Sequence, residues 1–186
     1  MQQVKDTSVV LVLGGVRSGK SRYAQRLAES ASRVTFIATA ESRDDEEMQR
    51  KIERHRSDRP SHWTTIEEPL ELGRAVQSAG PECETILVDC LTLFAASLLE
   101  ACQDDAPGLE AQIDGLCEAL RAAACRVILV SNEVGSGVVP AHASGRRFRD
   151  LAGEINQRVA SVADTVLLLV AGLPLTLKGS AIGGLQ

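Results

Sequence analysis

One octapeptide constrains this chain more than any other feature: Gly14-Gly15-Val16-Arg17-Ser18-Gly19-Lys20-Ser21. It fits the spacing G-x-x-x-x-G-K-[ST], and its flanks fit too. Before it, Ser8 to Leu13 is a short apolar, β-branched run of the kind that forms a buried parallel strand. After it, Arg22 to Ser30 carries Tyr23, Leu27 and Ala28 at helical spacing. Strand, glycine loop and helix in that order define a phosphate-binding loop, or P-loop.

The residue types explain the chemistry. Gly14 and Gly19 permit backbone angles that a side chain forbids. The loop can then turn its N–H groups onto phosphate oxygens at the positive end of the following helix. Lys20 adds a mobile charge for the β- and γ-phosphates, and Ser21 a hydroxyl for Mg²⁺. A nucleoside triphosphate is the ligand this motif predicts.

A chain of 186 residues predicts one α/β domain spanning 1–186. Hydrophobic residues make up 44% and aromatics only 3%, so the core must be built from Leu, Val, Ile and Ala. The net charge of −5 argues against nucleic acid as a partner. Cys83, Cys90, Cys102, Cys117 and Cys125 form an odd set without C-x-x-C, which predicts reduced thiols in a cytoplasmic protein. The first residues do not read as a signal peptide, and no apolar run is long enough to predict a membrane span.

Further strands are expected at Val34 to Ala38, Thr85 to Asp89, Arg126 to Ser131 and Asp164 to Val170, with a weaker one within His62 to Glu67 and an edge strand at Leu173 to Lys178. Helices are expected at Asp44 to Asp58, Leu70 to Ser78, Leu91 to Ala101, Leu109 to Ala124 and Arg146 to Val162, with a loop at Gln103 to Gly108. The alternation predicts a P-loop NTPase-like α/β fold, a mostly parallel sheet with helices on both faces. Ala38, Thr39 and Ala40 then fall at the carboxyl edge of the sheet, where open α/β sheets bind ligands. The apolar run ending at Asp89 has the Walker B form, whose carboxylate orients hydrated Mg²⁺.

Longer stretches go beyond the general P-loop pattern. E-M-x-x-K-I-x-x-H-R-x-x-R-P spans Glu47 to Pro60; N-E-V-G-x-G-x-V-P begins at Asn132, and F-R-D-x-A-G-x-x-N-Q-R ends at Arg158. With the P-loop and ILVDCLTLFAASLL, they make nearly the whole chain resemble the bifunctional adenosylcobinamide kinase / adenosylcobinamide-phosphate guanylyltransferase family. The resemblance implies two reactions in cobalamin biosynthesis. In the first, adenosylcobinamide is phosphorylated on its aminopropanol hydroxyl with ATP or GTP. In the second, GMP passes from GTP through a guanylylated histidine to adenosylcobinamide phosphate, releasing pyrophosphate. By the same resemblance the nucleophile falls on His55. Nucleotide contacts fall on Gly14 to Ser21, Ala38 to Ala40, Arg56, Ser57, Asp58, Arg59, Glu67 and Asp89. A homotrimer is implied as well. Some members carry Glu where Asp89 stands, a difference of reach more than of chemistry.

The residue chemistry is compatible with that reading. In guanylyl transfer the β- and γ-phosphates leave together, so a P-loop, Lys20 and Mg²⁺ can stabilise the leaving group. His55 lies one helical face along from Met48 and Ile52, and Arg54, Arg56 and Arg59 around it disfavour imidazolium. On residue type alone His62 and His142 compete with it, and the Asp44 to Asp58 charges also suit a solvated helix face. Asn132, Glu133, Arg146 and Arg147 are candidates for contact with the cobinamide. Two other readings fit the P-loop: a kinase of another small alcohol, which needs no histidine nucleophile, and a nucleotide-dependent switch.

Overall fold

The computed structural model describes residues 7–40, 60–103 and 105–180. Its elements run β1 (Val9–Gly14), α1 (Lys20–Ala28), β2 (Val34–Ala38), β3 (Thr64–Glu67), α2 (Leu72–Ala79), β4 (Thr85–Asp89), α3 (Leu91–Cys102), α4 (Ala106–Arg121), β5 (Arg126–Asn132), α5 (Ala143–Val162), β6 (Thr165–Val170) and β7 (Leu173–Lys178). The expected charged helix at Asp44 to Asp58, with His55, lies outside the described residues.

The strands form one sheet in the order β3-β2-β4-β5-β1-β6-β7. β1 to β6 pair in parallel, and β7 returns antiparallel along β6. All six residues of β1 are buried, as its unbroken apolar run requires of a strand covered on both faces. Alternate side chains go to opposite faces. Val9, Leu11 and Leu13 join a core beneath α2, α3, α4 and α5. Val10 and Val12 join a second core, with Tyr23, Ala24 and Leu27 of α1 and the single tryptophan, Trp63. Cutting a buried leucine such as Leu11 to alanine costs about 2–5 kcal/mol in such a setting. The expected α/β, P-loop NTPase-like architecture is therefore present.

The observed boundaries carry their own reasons. The loop expected at Gln103 to Gly108 stops at Asp105, because the Asp105 carboxylate accepts from Gly108 N and Pro107 occupies the first turn of α4. α1 begins at Lys20 rather than Arg22, directly after Gly19 in the left-handed region at φ 91°. α5 begins at Ala143, three residues before Arg146. β7 matches the expected edge strand, and its Lys178 Nζ donates to the Ala160 and Ser161 carbonyls at the end of α5. All five cysteines are free thiols, and all but the half-buried Cys102 are buried.

Candidate nucleotide site

Residues Gly14 to Ser21 turn from β1 into α1 between the carboxyl ends of β5 and β6. The turn is tight. Ser18 N donates to the Gly15 carbonyl at 3.2 Å, and a side chain at Gly14 would collide with Ser18 Oγ and lie 2.9 Å from the Leu169 carbonyl. Arg17 joins Gly19 at positive φ, 59°, although it is not glycine. Gly15, Val16 and Arg17 stay exposed, as a cradle that must receive a ligand requires.

Lys20 Nζ reaches back to the Gly15 carbonyl at 3.2 Å, above this loop. Burial lowers its pKa, while the Asp89 carboxylate acts the other way. Asp89 thus lies within electrostatic reach of the ammonium. Asp89 ends β4, in register with Ala38 of β2 and Val130 of β5. The fully buried Thr39 hydroxyl donates to the Cys90 carbonyl at 2.7 Å and accepts from Cys90 N at 2.8 Å. Thr39 therefore fixes the backbone that carries Asp89, whose peptide bond to Cys90 is cis. Burial, reinforced by Asp89, pushes the Cys90 thiol up to about 11 and keeps it neutral.

Ser21 and Asp89 together offer a hydroxyl and a carboxylate, hard oxygen donors that suit Mg²⁺. Among the described residues no group of three or more His, Cys, Asp or Glu side chains could hold a metal. A cation here would complete its shell with water and nucleotide phosphate, which is the habit of Mg²⁺. Ala38 and Ala40 are half-buried beside this edge, and Glu67 is exposed at the end of β3 in register with Ala38. Arg56, Ser57, Asp58 and Arg59 lie outside the described residues, as does His55.

The fold adds residues that spacing did not disclose. The Gly172 amide, at the tip of the β6–β7 hairpin, donates to the Ser18 carbonyl at 2.9 Å and seats the hairpin on the P-loop. Ala171 and Gly172 both have positive φ, 53° and 83°, as a two-residue hairpin turn demands. Next to the P-loop, Asn132 N donates to Thr92 Oγ1 at 2.8 Å, and Asn156 Nδ2 donates to the Asn132 carbonyl at 3.1 Å. Glu133 N then donates to the Gly14 carbonyl at 3.2 Å, so this network borders the cradle. Ser18 Oγ, Asn132 Oδ1 and Asn156 Oδ1 are buried without a partner. Asn156 was visible in sequence only as one letter of a longer motif. A polar residue on the buried stripe of a helix was its signal.

A P-loop opening from a parallel sheet, with a carboxylate ending a neighbouring strand at the same edge, defines the class: a P-loop nucleotide-binding protein. Two solved ATPases support the fold alone. A type III secretion ATPase of pathogenic bacteria superposes with TM-score 0.61 at 12% identity, covering 91% of this chain and 57% of its own. The assembled ATPase EscN of enteropathogenic E. coli gives 0.55 at 12%, covering 88% and 43%. The chain thus spans about half the length of each ATPase.

Sequence relationships give the particular family. The profile of cobinamide kinase / cobinamide phosphate guanyltransferase matches residues 10–177. The bifunctional adenosylcobalamin biosynthesis protein CobP of Pseudomonas aeruginosa is 48% identical over 170 residues, 91% of this chain and 96% of the relative. The bifunctional adenosylcobalamin biosynthesis proteins CobU of Salmonella typhimurium and Escherichia coli are 40% and 38% identical, each over 91% of this chain and 99% of the relative. The chain belongs to the cobinamide kinase / cobinamide phosphate guanyltransferase family and is an enzyme of that class.

Proposed function

We propose that one nucleotide cradle serves two successive transfers in this protein. In the first, the aminopropanol oxygen of adenosylcobinamide attacks the γ-phosphorus of ATP or GTP; the bond to the β-phosphate oxygen breaks and the hydroxyl proton leaves. In the second, a ring nitrogen of His55 attacks the α-phosphorus of GTP, and pyrophosphate departs. The phosphate oxygen of adenosylcobinamide phosphate then attacks the same phosphorus, the P–N bond breaks, and adenosylcobinamide-GDP leaves with His55 restored.

The reading is supported by a formed P-loop with Lys20 Nζ turned back over it and Asp89 within electrostatic reach of that lysine. Lys20 and the loop amides face phosphate oxygens in either step, whether they leave as diphosphate or as pyrophosphate. Ser21 and Asp89 would hold Mg²⁺, which neutralises charge developing on those oxygens. Arg56, Ser57, Asp58, Arg59 and Glu67 are assigned to the nucleotide with Ala38, Thr39 and Ala40, Thr39 by holding Cys90.

His55 is favoured among the three histidines by where the other two stand. His62 precedes β3 and lines a cleft at the amino end of the sheet, a strand's length from the P-loop. His142 sits at the N-terminus of α5, far along that helix from Asn156. A homotrimer is part of the proposal. Val170, Leu173, Leu175 and Leu177 are each at least 55% exposed on the β6–β7 hairpin, an apolar strip that a second copy can cover. Among the described residues no helix is long and apolar enough to cross a membrane. A cytoplasmic location is part of the proposal.

The test is incubation with GTP labelled at the α-phosphate. The wild type retains label after denaturation, stable to alkali and lost in acid, as a P–N bond requires. His55→Ala forms no adduct and loses the transferase step but keeps phosphorylation of adenosylcobinamide. Label mapped to His62 or His142, or persisting in His55→Ala, overturns the assignment.

A further inference from the structure

The sheet does not account for the full height of the molecule. Asn156 donates to the Asn132 carbonyl, so that point of α5 is level with the carboxyl end of β5. α5 starts thirteen residues earlier at Ala143, and a rise of 1.5 Å per residue carries its first half about 20 Å beyond the sheet. α3 leaves the same edge at Leu91, directly after Asp89 and Cys90. Just past its far end, the Gln103 carbonyl accepts from Arg147 Nη2 at 2.7 Å. One helix runs outward and the other inward, and together they stand as a wall above the nucleotide edge.

Between them lies a groove of about 280 Å³ lined by Ala96, Leu99, Glu100, Ser144, Arg147 and Phe148. Its direction follows from helical spacing. Leu93 packs against the core on the α1 face, which includes Val12, Cys90 and Val130. Ala96 and Glu100 continue that stripe three and seven residues further on. Leu99 and Phe148 pack instead on the core beneath α2 to α5, so the groove has its apolar wall on that core and Ala96 and Glu100 on the edge nearer α1. Its floor is apolar and its rim polar, with both signs of charge.

We infer that this groove is the acceptor subsite: it takes the amide-bearing side arms of the corrin ring of adenosylcobinamide and its phosphate, with the aminopropanol arm reaching down to the phosphates. The inference rests on the proposed function. The volume suits side arms and not a whole macrocycle, which would lie across the mouth. Leu99 and Phe148 pack against methylene and ring-edge carbon, while Glu100, Ser144 and Arg147 exchange hydrogen bonds with carboxamides. Glu100 also places negative charge beside a cationic cobalt corrin.

The experiment is steady-state kinetics of the full chain with adenosylcobinamide phosphate and GTP, comparing wild type and Ala96→Trp. The indole fills the groove from α3. KM for adenosylcobinamide phosphate rises at least tenfold in Ala96→Trp, while KM for GTP stays within twofold. An unchanged KM for the acceptor in Ala96→Trp overturns the subsite. If Ala96→Trp also shifts KM for GTP, Ser144→Trp fills the groove from α5 and decides by the same criterion. A wild type that labels with GTP but converts neither cobinamide substrate defeats the functional reading instead, so the two failures are distinguishable.

Discussion

The two ends of the parallel sheet carry openings of similar size and different character. At the amino end a cleft of about 330 Å³ is lined by Ser32, Arg33, Thr64, Ile66, Cys83 and neighbours. At the carboxyl end stand the P-loop and the smaller groove between α3 and α5. Size alone would choose the wrong one. Beside the amino-end cleft, Glu84 accepts from Ser32 N and Arg33 N and pairs with the Arg33 guanidinium at 3.7 Å. At the carboxyl end Ser18 Oγ, Asn132 Oδ1 and Asn156 Oδ1 are buried without partners, and Arg17 holds positive φ. Unmet hydrogen-bonding capacity and backbone strain mark a site that awaits a ligand. Strand polarity agrees, since every parallel strand ends at that edge.

Four substitutions probe this contrast. Lys20→Ala has the largest expected effect: both activities fall by about 10³-fold, because one cradle serves both steps. A wild-type rate in either assay would separate the two sites. Asp89→Asn comes next. Its Mg²⁺ half-saturation rises about 10–100-fold while the melting temperature holds, as expected for a carboxylate acting through metal-bound water. An unchanged Mg²⁺ titration reduces Asp89 to a strand end.

Asn156→Ala removes the donor to the buried Asn132 carbonyl. It costs about 1–3 kcal/mol in urea unfolding and lowers activity, since the same residues border Gly14. Full stability would mean that water replaces the amide. Glu84→Gln at the opposite edge has the smallest effect. It changes stability by less than about 1 kcal/mol, because its ion pair with Arg33 is solvent-exposed, and leaves both activities intact. A loss of activity in Glu84→Gln would erase the distinction between the two ends.

Much of the fold was legible because its signals are local. β2 and β4 fall where the apolar runs place them, since a buried strand must be apolar over its own length. Gly14 to Ser21 and Asp89 were legible because phosphate and Mg²⁺ chemistry dictates residue type and spacing. The start of α4 was misplaced because Pro107 and Gly108 look like loop residues. Only the capping bond from Gly108 N to Asp105 shows that they open a helix.

By itself, then, the sequence determined the nucleotide loop, the parallel α/β class and the family, all properties written in short contiguous stretches. The tertiary structure alone decided which distant groups meet. Lys20 comes within electrostatic reach of Asp89, Thr39 grips Cys90, Gly172 seats on Ser18, and Thr92 and Asn156 bracket Asn132. It also decided that α3 and α5 rise past the sheet to form a groove. The physical reason is that hydrogen bonds and Coulomb forces act over a few ångströms of space, and only a packed core sets those distances between residues tens to more than a hundred positions apart.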